Sequence, residues 1–259
     1  MVAAVTSMQW AAGGEPPPEP STPTVAPSGP GPGPATAGGP TADEVDGRAS
    51  YALACSTCHG PEGRGTKRGP ALVGVGAAAA DFYLSTGRMP LDEPRAQAER
   101  KKVAYPPAEI RRLTAYVASL GGPPGSRSGP PIPEARPLRG ALVEGNRLYA
   151  NNCAACHSSA GAGGALGHAV HAPPLGRATA VQVAEAIRIG PGAMPVFGPE
   201  TLDDQQVDSV VRYVLYLRHP DDRGGFGLGH LGPIPEGFTA WFVGLGAMLL
   251  VARIIGTKD

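Results

Sequence analysis

Two short runs hold the residues with the most chemistry in the chain: Cys55-Ser56-Thr57-Cys58-His59 and Cys153-Ala154-Ala155-Cys156-His157. Each is a C-x-x-C-H run, the sequence form of covalent c-type haem attachment. Thiols three positions apart sit on neighbouring points of one helical turn, where they form thioethers to the two vinyl groups of a single haem. The adjacent imidazole then points at the iron as its fifth ligand. Both runs together use all four cysteines, leaving none for a separate disulfide. A thioredoxin-like dithiol is the first alternative, but it wants a βαβ setting and has no use for the histidine. A four-cysteine zinc site is the second; its pairs usually lie about 15–20 residues apart, whereas nearly a hundred residues intervene here. The expected cofactors are therefore two covalently bound haem c, held by Cys55 and Cys58 and by Cys153 and Cys156.

A sixth iron ligand is on offer after each motif, in Thr86-Gly87-Arg88-Met89-Pro90 and in Pro191-Gly192-Ala193-Met194-Pro195. A methionine is ordinarily core filler. These two share a setting, a glycine-containing turn before proline, so the axial pairs are read as His59 with Met89 and His157 with Met194. Met/His ligation raises the haem potential, which suits a late electron carrier. His168 and His171 lie between His157 and Met194 and offer a bis-histidine alternative, set against their plainer reading as exposed loop residues.

The elements that must position these residues recur. Gly47, Tyr51 and Cys55 step by four, and so do Gly145, Tyr149 and Cys153, which places each trio on one face of a helix. A second helix is predicted over Ala108–Leu120, with Ile110, Leu113, Tyr116, Val117 and Leu120 on an apolar stripe. Its counterpart is predicted over Asp203–Leu217, with Val207, Val210, Val211, Val214 and Leu217. Gly47 would let the two helices of the first copy approach closely beside Tyr116. Gly69-Pro70-Ala71-Leu72, and Ala172-Pro173-Pro174-Leu175 in the second copy, are turns placed to bring a backbone carbonyl to the far nitrogen of each motif histidine. Asp92 to Lys102 is charged and reads as a solvated excursion.

The predicted fold is mainly α: two tandem class I cytochrome c domains, at 43–120 and 141–220, and one C-terminal transmembrane helix. A Pro/Gly linker at 121–140 joins the domains, and residues 221–237 lead to an apolar run at 238–255, near the lower length for a spanning helix. A buried soluble helix is the alternative for that run. Trp241 suits an outer interfacial belt, while Arg253 and Lys258 mark the cytoplasmic end, with 256–259 as a short inner tail. Thioether attachment takes place outside the cytoplasmic membrane, so the haem domains face outward. Residues 13–42, mostly Gly, Pro, Ala, Ser and Thr, read as an extended tether. Residues 1–12 read as the remnant of an export signal or anchor that begins upstream.

Glycine and proline, 38 and 30 of 259 residues, collect in these connecting stretches. With 22 basic and 22 acidic residues the chain is formally neutral, which gives nucleic acid no electrostatic handle. No acid–base constellation suggests substrate chemistry on the chain itself.

The motifs above, together with Gly69-Pro70-Ala71-Leu72-Val73-Gly74-Val75-Gly76, Ser85-Thr86-Gly87-Arg88-Met89-Pro90 and Gly232-Pro233-Ile234-Pro235-Glu236-Gly237 before the span, carry a resemblance. From about Asp43 to the C-terminus, the chain resembles the dihaem cytochrome c subunit of the actinobacterial-type cytochrome bcc complex. That complex is the menaquinol:cytochrome c reductase that partners an aa3-type oxidase. The resemblance implies a plasma-membrane electron-transfer subunit beside a cytochrome b subunit. Its first haem, held by Cys55, Cys58, His59 and Met89, would receive electrons from the Rieske iron–sulfur protein. Its second, held by Cys153, Cys156, His157 and Met194, would pass them to the copper centre of the oxidase. Members of that family usually begin with an export or anchor helix, which this sequence lacks. Three other readings stand beside it: a dihaem subunit of an alcohol dehydrogenase or cbb3-type oxidase, a peroxidase-like dihaem enzyme with one open iron, and a non-redox interaction module.

Overall fold

The structure, a computed structural model, describes residues 40–91, 97–121, 128–167, 170–221 and 233–256. The expected leader remnant at 1–12, nearly all of the tether at 13–42, His168, most of 221–237 and the end of the tail lie outside these residues.

The first domain is built from α1 (Ala42–Ala54), the single turn α2 (Ser56–His59), α3 (Gly76–Ser85) and α4 (Pro107–Ser119). At the start of α1, the Thr41 hydroxyl accepts from the Glu44 backbone, and Glu44 accepts in return from the Thr41 N–H at 2.7 Å. This capping box satisfies two donors that a bare helix start would leave unpaired. Pro107 in the first turn of α4 wastes no hydrogen bond, since its missing N–H would have had no partner. α4 matches the predicted helix to within one residue at each end. Its stripe residues Ile110, Leu113, Tyr116, Val117 and Leu120 are buried together with Tyr51 and Leu84.

The second domain repeats this plan after a 3₁₀ turn at Pro137–Arg139: α5 (Leu142–Asn152), α6 (Ala154–His157), α7 (Ala180–Ile189) and α8 (Asp204–Tyr216). Capping boxes start α7, Thr179 with Gln182, and α8, Asp203 with Gln206. An antiparallel hairpin of β1 (Gly164–Gly167) and β2 (Val170–Ala172), unforeseen in the sequence, pairs Gly164 with Ala172 and Ala165 with His171. Strands of four and three residues in a Gly/Ala-rich stretch give no alternating pattern to read.

In both domains the motif-bearing helix crosses the closing helix at a glycine. A Cβ on Gly47 would stand 2.0 Å from the Arg112 carbonyl oxygen, and one on Gly145 would stand 2.0 Å from that of Ser209. Beside each crossing two tyrosines meet, Tyr51 with Tyr116 at 5.0 Å and Tyr149 with Tyr213 at 5.3 Å between ring centres. Tilted rings at that separation favour edge-to-face attraction.

The two domains touch through α3 and α7. Neither helix follows from periodicity. Gly76–Ala80 is a run of small residues without a stripe, and α7 buries Gln182 and Glu185 as well as Val183, Ala184 and Ile187. The segment read as a solvated excursion also departs from expectation. Among its described residues, Gln97 donates to the His171 carbonyl at 2.9 Å and Arg100 to Gln182 Oε1 at 2.6 Å. These polar side chains serve the domain contact, so their polarity does not mark a free loop.

At the C-terminal end α9 (Pro233–Thr239), a π-helical stretch (Ala240–Gly244) and α10 (Leu245–Gly256) run on without a break. Ile234–Gly256 forms a 23-residue apolar helix with none of its side chains buried. At 1.5 Å per residue it exceeds the ~30 Å hydrocarbon core. It starts a turn earlier than the predicted span. Phe238, Trp241, Phe242, Leu249 and Ile255 are more than half exposed, the pattern of a helix that meets lipid or a partner.

Candidate haem-binding sites

Each C-x-x-C-H run folds the same way. α1 ends on Cys55, whose carbonyl accepts from Cys58 N–H at 3.2 Å and His59 N–H at 2.9 Å; Cys153 accepts from Cys156 and His157 at the same two distances. One turn of helix thus presents two thiols and an imidazole in sequence. The turn that follows is pinned by a tyrosine hydroxyl, Tyr51 donating to the Gly60 carbonyl at 2.8 Å and Tyr149 to that of Ser158 at 2.7 Å.

The expected proline-turn carbonyls are in place. His59 Nδ1 lies 2.8 Å from the Pro70 oxygen and His157 Nδ1 lies 3.0 Å from the Pro173 oxygen. A carbonyl only accepts, so the proton sits on Nδ1 and the Nε2 lone pair is left for a metal. Burial pulls His157 below the ordinary imidazole range, against the opposing pull of the Pro173 hydrogen bond, and holds the ring neutral.

Met89 is half-buried and packs against the first core, as do Cys55, Leu72 and Val75; Met194 packs against the second, as do Cys153, Leu175 and Phe197. Around the second motif, Cys153, Cys156, His157 and Met194 line one cavity of about 350 Å³. Val183, Ile187, Val210 and Val214 give it apolar walls. That volume lies within the ~300–1,000 Å³ common for cofactor sites. Thiols, a tautomer-fixed imidazole and a thioether around an apolar slot fit a covalently attached haem. His171 reaches the same cavity, but its Nε2 is directed to Glu99, 3.8 Å away, and its side chain is about half exposed.

The alternatives for the motifs fit poorly. Burial first, then the neighbouring thiol, pushes Cys55 and Cys153 up to about 11. Dithiol oxidoreductases depend on a thiol shifted the other way. Among the described residues, no three of His, Cys, Asp and Glu gather as a metal cluster.

Several residues around the second site had no sequence signal of their own. Gln182 caps α7, accepts from Arg100, and reaches Ser85 of the other domain at 3.3 Å. Arg88 belongs to the turn that supplies Met89, yet it is only 8% exposed and lines the second cavity. The one available hint was an arginine beside the methionine in a glycine turn.

Comparison with known proteins agrees with the duplicated geometry. Residues 44–121 match the family described as cytochrome c, and residues 140–214 match that of cytochrome c oxidase, cbb3-type, subunit III. The cytochrome bc1 complex cytochrome c subunit of Corynebacterium diphtheriae is 36% identical over 228 residues, 83% of this chain and 80% of the relative. The protein of the same description from Mycobacterium bovis is 38% identical over 216 residues, 82% of this chain and 77% of the relative. A cbb3-type cytochrome c oxidase subunit CcoP from an Azospirillum species is 29% identical over 194 residues, 66% of this chain and 61% of the relative. Two cytochrome c domains with two Cys-x-x-Cys pairs carry two covalently bound haem c. By its identity to these relatives over most of its length, this respiratory electron-transfer chain belongs to the family of cytochrome bc1 complex cytochrome c subunits.

Proposed function

We propose that the chain is the electron relay between the Rieske iron–sulfur protein and the copper centre of an aa3-type oxidase, bound to a cytochrome b subunit in one menaquinol-oxidising complex. In this reading residues 43–120 and 141–220 are the two haem domains. Cys55 and Cys58 attach the first haem and Cys153 and Cys156 the second. His59 with Met89, and His157 with Met194, would hold the two haem irons. When bound, the haems supply one-electron oxidation and reduction. The polypeptide does the rest: the Pro70 and Pro173 carbonyls hold each imidazole in its binding tautomer, apolar walls keep water from the second site, and the C-terminal helix anchors the domains at the outer face of the plasma membrane. Arg253 and Lys258 favour a cytoplasmic C-terminus, since positive residues collect on that side.

The observation that carries this reading is the duplication itself: one motif turn, one proline carbonyl on Nδ1 and one downstream methionine, occurring twice ahead of an apolar helix. Affinity purification of the tagged chain from membranes tests it. Recovery of cytochrome b, a Rieske protein and aa3 oxidase subunits is expected. A second reading, a dihaem subunit of a cbb3-type oxidase, draws on the match of residues 140–214. Recovery of a cbb3-type catalytic subunit without cytochrome b or a Rieske protein would establish that reading and reject the first.

A further inference from the structure

Three arginines meet where the first domain covers the second domain's cavity, and the ligand set above uses none of them. Arg88, Arg100 and Arg177 all line the cavity that holds Cys153, Cys156 and His157. The Arg88 guanidinium lies over the Phe82 ring, 4.7 Å from its centre. Its Nη1 is buried and has no hydrogen-bond partner. Arg100 is steered by Gln182, whose Oε1 accepts from Nη2 at 2.6 Å.

The cluster is electrostatically incomplete. Burial and then the charge of Arg177 disfavour the Arg100 cation. Among the described residues, no carboxylate forms an ion pair with any of the three. Arginine does not escape by losing its proton, and a buried cation without a counter-charge is strongly unfavourable. An anion rich in acceptor oxygens, reaching in from the cavity, completes the set.

We propose that Arg88, Arg100 and Arg177 bind the propionate carboxylates of the second haem, so that residues of the first domain close the second domain's cofactor site. The inference rests on Cys153, Cys156 and His157 being that haem's attachment site. A guanidinium fork matches a carboxylate edge with two parallel N–H donors. Two of the three forks come from the first domain, one of them next to Met89. The second haem then holds the two domains together. Positive charge beside its carboxylates also disfavours the ferric state, raising its potential.

The test is redox titration of the full-length chain in its detergent-extracted complex, with resonance Raman spectra of the propionate bending modes. Mass spectrometry first establishes that both haems are attached, and Met194→Ala marks which titration step belongs to the second haem. In the double variant Arg100→Gln/Arg177→Gln, the oxidised-to-reduced ratio of the second haem at a fixed ambient potential should rise about tenfold, ~59 mV for a one-electron centre. Its propionate bands should shift while the first haem stays put. Arg100→Lys/Arg177→Lys, which keeps the charge, should restore most of the potential. Two attached haems with an unmoved second potential and unmoved propionate bands would overturn the arginine assignment alone, and so would a shift confined to the first haem. A chain with no haem on Cys153 and Cys156 overturns the site reading along with it.

Discussion

A thioether sulfur is a soft, neutral donor, and opposite an imidazole it favours ferrous over ferric iron. Under the proposed ligand set, the residue-scale consequence concerns Met89 and Met194. Replacing either with alanine leaves the thioethers to the cysteines intact, so the haem stays attached. The potential of that centre should fall by on the order of 100 mV, a modest part of the ~0.8 V that axial ligation spans. Separate titrations of the two variants check it; a variant whose own centre does not move has lost no iron ligand. At this scale much was legible. The four cysteines, two histidines and the proline turns were placed by local chemistry, because a motif of five residues folds as one turn whatever surrounds it. Arg88 was not. Its neighbours in sequence are Gly87 and Met89, whereas the groups that give it meaning, Phe82 and the cavity around Cys153, are brought to it by folding.

Among the elements, the crossing of motif helix and closing helix is the most demanding. Gly47 leaves no room for a methyl group against backbone, and backbone yields less readily than a flexible side chain. Gly47→Ala should therefore cost about 3 kcal/mol, the upper part of the overpacking range. The damage should be local, with weakened haem attachment at Cys55 and Cys58 and a retained second domain; paired thermal melts and haem-specific mass analysis check this. This crossing could be read from the four-residue steps of Gly47, Tyr51 and Cys55. The helices α3 and α7 could not. Periodicity finds a helix that has one wet face and one dry one, whereas α3 opens on a run of small residues and α7 buries Gln182 and Glu185.

The molecule as a whole joins its halves through that same pair. Glu185 on α7 is fully buried, and neither oxygen makes a well-formed hydrogen bond. Burial, and then Asp81 across the contact, pushes its carboxyl up to about 9. The folded chain therefore keeps a proton there that the unfolded chain gives up near its ordinary value of about 4.3. Stability from this group is complete below that value, declines as pH rises, and is fully lost above about 9. The slope approaches about 1.4 kcal/mol per pH unit between those limits. Glu185→Gln should flatten the decline between about pH 6 and about pH 8, a gain of roughly 2–3 kcal/mol at the upper end. Thermal unfolding at the two pH values is the measurement; equal slopes for both proteins would remove Glu185 from the account.

By itself the sequence determined the covalent chemistry, the duplication, the closing helices and the apolar C-terminal helix. Each is written in short-range spacing: a step of three from thiol to thiol, a step of four along a helix face, about twenty residues to cross a bilayer. Tertiary structure alone decided that Gln97 and Arg100 serve the neighbouring domain, that Arg88 and Arg177 share one cavity, and that Glu185 faces Asp81. Those partners lie some seventy to more than a hundred positions apart in the chain. No local period connects them, and only the packing of α3 against α7 brings their charges within reach of one another.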